Sequence, residues 1–172
     1  MHSGQPPRAA PAGDGVITLE PLRVDHAEEM AVVLADPRLY TFTGGEPPTV
    51  AELRARYRRQ SAGRSDDGGQ AWLNWIVRRV SDGAALGFVQ ATVTGPAADR
   101  SAEIAWVIGA AHQGLGWACR AAALMVAQLR AAGVPALTAH IHPDNHASAA
   151  VAAALGMAAT GRIEDGEDRW EG

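Results

Sequence analysis

The sequence predicts an α/β protein (α+β in its segregation of strands) with a mixed, mostly antiparallel central sheet and helices on both faces. Three observations predict it. Residues 71–108 hold three strand-like runs separated only by short turns, the pattern of an antiparallel meander. A long helical run and a short apolar run follow, at 117–132 and 136–141, and strand–helix–strand is the connection that parallel neighbours need. Two more helical stretches precede the meander, so both sheet faces can be covered. The order along the chain reads β-α-α-β-β-β-α-β-α-β-β.

Residues 1–14 are rich in Pro, Gly and Ala and lack the apolar region of a signal peptide. They are expected to form a flexible leader with no part in the fold, ahead of one domain at 15–172. Val16–Leu22 alternates imperfectly as a first strand. Asp25 is placed to cap a helix running to about Ala35, with Met30, Val33 and Leu34 at helical spacing. Asp36-Pro37 ends it, because the residue before a proline disfavours the helical region. Tyr40–Pro48 is a loop. Thr49 caps a second helix to about Gln60, and Glu52 completes a capping box. The four arginines of that helix (Arg54, Arg56, Arg58, Arg59) read as a solvated face.

The meander consists of Ala71–Val80, Ala84–Val93 and Arg100–Ile108. Gly109–Leu115 is a loop into an alanine-rich helix that ends near Ala132, on which Ala118, Ala122, Met125 and Leu129 share a face. Ala136–Ile141 is a buried strand, and a helix runs from the turn at His142–Asn145 to Leu155, stopped by Gly156. Met157–Ile163 and Glu167–Trp170 form a hairpin around Asp165-Gly166.

Composition narrows the function. The chain has 172 residues, 47% hydrophobic, enough for one sizeable core. Net charge is −4 with no basic block, which gives no support to nucleic-acid binding and suits a cationic or amine-bearing substrate. There is no lysine, which excludes a Walker-type phosphate loop and Schiff-base catalysis. Cys119 is the only cysteine, so neither an intrachain disulfide nor a multi-cysteine zinc site can form. No apolar run is long enough to cross a membrane. A cytoplasmic monomer or homodimer is expected.

The chemistry centres on Gln113-Gly114-Leu115-Gly116-Trp117-Ala118. The first amides of a helix lack internal partners and carry partial positive charge, so they bind phosphate. Gly114 and Gly116 let the backbone approach, and no acidic residue occupies the first turn. Position argues against a dinucleotide fold, which puts such a loop after the first strand of a parallel sheet.

This loop matches in full the phosphate-loop pattern Gln/Arg-x-x-Gly-x-Gly/Ala of the GNAT acetyltransferase superfamily. Ala102–Ile108 is similar to the fourth strand of that family. Asn145-His146-Ala147-Ser148 with Leu155-Gly156-Met157 resembles the branch that acetylates N-termini of ribosomal proteins and includes many small-molecule acetyltransferases. The resemblance implies acetyl-coenzyme A as co-substrate. It places backbone groups of Val107 and Ile108 against the pantetheine arm, Gln113 to Ala118 on the pyrophosphate, and Asn145 on the pantetheine side. It also implies Glu103 as the general base. The tyrosine that many members use as acid falls at Ala152 here, leaving Ser148 or a water for that role.

The implied reaction is transfer of an acetyl group to a primary amine of a small molecule, with a protein N-terminus as the alternative acceptor. Tyr40, Phe42, Glu46, Trp72 and Trp75 are candidates for the acceptor pocket. Two other readings stand beside it: a non-catalytic module that binds coenzyme A, and a metal-dependent hydrolase built on His140, His142 and His146 with Asp144 nearby. No metal is expected in the first reading.

Overall fold

Strict alternation shapes the sheet. On β3 (Ala71–Arg79), Ala71, Leu73, Trp75 and Val77 point to one face, while Trp72 and Asn74 point to the other and are only half-buried. On β4 (Ala85–Thr94), Val89, Ala91 and Val93 repeat the pattern, and on β5 (Ser101–Ile108) Ala102 and Ile104 do. The structure, a computed structural model, describes residues 4–172. The remaining elements are β1 (Ala12–Gly13), β2 (Ile17–Pro21), α1 (Ala27–Val33), α2 (Val50–Gln60), α3 (Trp117–Ala131), β6 (Ala136–Ile141), α4 (His146–Ala154), β7 (Ala158–Glu164) and β8 (Glu167–Glu171).

These strands make one eight-stranded sheet in the order β1-β2-β3-β4-β5-β6-β8-β7. Every pair is antiparallel except β5–β6. Helix α3 packs Ala121, Met125, Val126 and Leu129 on one face, in the same cluster as Trp75, Ile104 and Leu137. On the opposite face, Met30 of α1 and Leu53 and Tyr57 of α2 pack with Ile76 and Ala85. Each of the fully buried Leu, Ile and Met side chains stabilises the fold by roughly 2 kcal/mol.

Local signals in the sequence have direct counterparts. Thr49 caps α2, with its hydroxyl accepting from Glu52 N at 3.2 Å and Glu52 Oε2 accepting from Thr49 N at 2.7 Å. Asp165 and Gly166 both have positive φ (51° and 80°), the two-residue turn that the β7–β8 hairpin requires.

Two expectations change. The first helix is broken up: a single 3₁₀ turn at Val24–His26 leads into α1, which stops at Val33, and Asp36 caps a second 3₁₀ turn at Pro37–Tyr40. The end of the leader takes part in the fold. Ala12–Gly13 pairs with Thr18–Leu19, and the Ala10 carbonyl accepts from Trp75 Nε1 (2.9 Å) and Gln128 Nε2 (2.6 Å). A buried indole N–H needs an acceptor, and this segment supplies it.

Candidate active site

The site begins where β5 loses its neighbour. The parallel ladder with β6 covers only Ser101–Glu103 against Ala136–Thr138. From Ile104 to Ile108 the β6 side of β5 has no strand partner, although its β4 side stays paired up to Ile108. A cleft of about 1230 Å³, counting its open mouth, occupies this splay. Trp106, Val107 and Ile108 line it from β5, and Asn145, Ser148 and Val151 from the α4 side.

The loop before α3 closes one end of this cleft. Gln113 Nε2 donates to the Ile108 carbonyl at 3.0 Å and so ties the loop to the strand. Gly114 and Gly116 have φ of +79° and +81°. A Cβ at either would meet no atom within 4 Å, so the dihedral and not crowding demands glycine. Gly116 is the N-cap of α3 and offers no side-chain cap, and no acidic residue lies in the first turn. The first backbone bond into the helix is Arg120 N to Gly116 O. Among the described residues, none of the amides of Gln113, Gly114, Leu115 and Gly116 donates to a backbone carbonyl. With the first-turn amides of α3 these form a run of free donors. That is the observation that fits a pyrophosphate.

A family model for the acetyltransferase (GNAT) domain matches residues 17–158. The chain belongs to the GNAT acetyltransferase family. Solved structures of similar fold include the GNAT-family acetyltransferase from Bacillus anthracis (16% identity, 94% of this chain and 96% of that one, TM-score 0.72). The GNAT domain of PAT from S. lividans is 23% identical over 94% and 96% of the two chains, with TM-score 0.71. The microcin C7 self-immunity acetyltransferase MccE, in complex with acetyl-CoA and AMP, is 16% identical over 92% and 93%, with TM-score 0.75. At these identities the likeness concerns the fold. No curated protein matches significantly in sequence.

Of the residues singled out in this GNAT chain by sequence, Val107, Ile108, Gln113, Gly114, Gly116, Trp117, Ala118, Asn145, Ser148 and Phe42 meet around the cleft. Leu115 projects outward, 66% exposed. Trp75 is fully buried in the core and lines no acceptor surface, which corrects its assignment. Tyr40 lies away from the cleft wall and donates its hydroxyl to the Leu34 carbonyl at 2.9 Å; burial pushes its pKa up. Glu46 is exposed and outside the cleft. Trp72 stands on the α2 side of the sheet, against Arg59 and Gln60.

Sequence reasoning missed Arg38, Leu39, Thr43 and His112, which also line the cleft. Of these, Thr43 lies in the Tyr40–Pro48 loop that the sequence marks as a turn-rich segment, whereas Arg38 and Leu39 belong to the 3₁₀ turn before it and His112 to the one before α3. Phe42, on the cleft wall, packs against His142, ring centroids 5.1 Å apart.

Glu103 is not among the cleft-lining residues and lies on the face of β5 that also carries Ala105 and Val107. Its carboxylate is 64% exposed and lies 3.6 Å from His140 Nδ1. His140 Nε2 is 2.7 Å from Glu164 Oε2, and that hydrogen bond holds Glu164 below the usual carboxylate range. His142 faces Phe42, and His146 is exposed at the start of α4. Among the described residues no three His, Cys, Asp or Glu side chains are grouped to hold a metal ion. Asn145 Oδ1 accepts from Ser148 N at 3.1 Å, capping α4 and fixing Ser148 at the cleft wall. Ala152, one turn on, is buried in the core and has no route to the cleft. Among the described residues no helix is long and apolar enough to cross a membrane.

Proposed function

We propose that this GNAT chain moves the acetyl group of acetyl-coenzyme A to a primary amine of a small molecule, by direct attack on the thioester. The single observation that carries the reading is the splay of β5 from β6, ending at a loop whose amides are free. Acetyl-coenzyme A supplies an activated acyl thioester. The complex of MccE with acetyl-CoA supports that donor.

The residues then divide the work. The Gln113–Ala118 amides hold the pyrophosphate, and the unpaired edge of β5 at Val107 and Ile108 aligns the pantetheine arm. An alkyl amine with pKa near 10 arrives protonated, so a base must take its proton. Glu103 is that base. It lies four residues before Val107, roughly 13 Å along the strand, so a chain of waters relays the proton from the amine to Glu103, beside His140. Ser148 Oγ returns a proton to the departing thiolate in this reading.

Thiol release from acetyl-coenzyme A across a panel of small amines and short peptides tests this. Release with a small amine at least a hundredfold above the no-amine rate is expected. Coenzyme A binding with no release from any acceptor would leave a binding module in place of an enzyme.

A further inference from the structure

The α2 side of the sheet carries a second feature, one that the composition does not suggest. Arg56, Arg59 and Gln60 share one face of α2 at i, i+3 and i+4. They look onto a floor made by Asn74 of β3 and Gln90 and Thr92 of β4. Gln90 is paired with Asn74 on one side and with Ala105 on the other, so this floor continues directly to β5.

The polar groups here are uncommitted. Among the described residues, neither Arg56 nor Arg59 is in an ion pair, whereas Arg54 on the same helix pairs with Glu28; Glu52, one turn before Arg56, feels its charge at longer range. The side chains of Gln60, Asn74, Gln90 and Thr92 are half-buried, and none is hydrogen-bonded within the protein. Their polar atoms reach the open space of the groove, where a ligand can take up their donors and acceptors. The groove's own lining holds no carboxylate, and Glu103, the cross-strand partner of Thr92, borders it on the β5 side. Two guanidiniums donate only, and the amides can add donors, so the set is built for an acceptor-rich anion. The chain is acidic overall at −4, and Arg56 and Arg59 are the charged side chains in this groove's lining.

We infer that the acceptor amine carries an anionic group, a carboxylate or a phosphate, which Arg56 and Arg59 hold against Asn74 and Gln90. The inference rests on the acetyl-transfer reading above and names the acceptor class for that site. Gln90 is one strand from Ala105, and Val107 follows two residues on, so amine and anion stand roughly 5–10 Å apart. The groove orients the acceptor and leaves the chemistry to β5.

Matched acceptors test it: glycylglycine and 4-aminobutyrate against their terminal amides, with 3-aminopropylphosphonate and phosphoethanolamine as the phosphorus arm. The expected result is a kcat/KM at least tenfold higher for the anionic members, with the two arms showing which anion is preferred. In Arg56→Ala and Arg59→Ala, KM for the anionic acceptor rises at least tenfold while kcat stays within about twofold. The amides are unaffected, and so is the Arg58→Ala control. Loss of orientation binding alone has that KM signature. Amides turned over as well as acids, or an acid preference that survives both substitutions, overturns the inference and leaves acetyl transfer standing. No thiol release from any member, with acetyl-coenzyme A still bound in calorimetry, overturns the acetyl-transfer reading itself.

Discussion

Gly116→Glu puts bulk and charge at the start of α3, and its effect can be worked from the geometry. The residue has φ +81°, so any side chain costs about 1–2 kcal/mol in left-handed strain. A new Cβ meets nothing within 4 Å, so no clash adds to this. Against a typical stability of about 5–15 kcal/mol the fold survives. The ligand is affected more. A carboxylate about 5 Å from a phosphate charge costs roughly 3 kcal/mol at an effective dielectric near 20, and the pyrophosphate carries more than one charge. That is at least a hundredfold in affinity. Gly116→Ala carries the same strain without the charge and separates the two effects. Isothermal titration with coenzyme A should show binding lost in Gly116→Glu and kept within several-fold in Gly116→Ala. Thermal melts of both variants should fall by a similar few degrees. Gly116→Glu binding within threefold of the parent would refute the placement of the pyrophosphate.

Glu103→Gln should lower kcat at least tenfold while acetyl-coenzyme A affinity is unchanged; equal turnover removes Glu103 as base. Deleting residues 1–11 should cost about 1–3 kcal/mol in urea unfolding, because Trp75 Nε1 and Gln128 lose the Ala10 carbonyl; an unchanged midpoint would contradict that bond's role. Burial raises the pKa of Glu20, but hydrogen bonds from Arg78 and Arg23 outweigh it and hold the group at about 2. A carboxylate depressed on folding stabilises above its unfolded pKa, near 4.5, and that contribution fades as pH falls from there toward 2. Glu20→Gln should therefore flatten the loss of Tm between pH 5 and 2, and an unaltered slope counts against the pairing.

Features set by neighbouring residues could be read from the chain. The Thr49–Glu52 box, the Asp165-Gly166 turn and the glycine loop each need only a few adjacent side chains, and each is where the sequence places it. Trp72 and Trp75 show where period-2 logic should have been pressed further. Residues three apart on a strand point to opposite faces, so one pocket could not have held both. Other features depend on residues distant in sequence. The contact of Ala10 with Trp75 spans 65 positions, and Glu103 meets His140 only because β5 and β6 lie side by side. The groove under α2 was hidden for a related reason. Four arginines in eleven helical residues look solvated until the sheet beneath shows which of them face open amides.

The three-residue ladder between β5 and β6 has a mechanical consequence. One sheet by connectivity becomes two panels, β1–β5 and β6-β8-β7, joined along a short seam and backed by α3. A molecule lodged in the splay touches both panels and acts as a removable rivet. Amide exchange should then find the β6-β8-β7 panel opening more readily than β3–β5 in the free protein. Coenzyme A should slow exchange in that panel well beyond the residues it touches, so that donor occupancy and the stiffness of the catalytic face rise together.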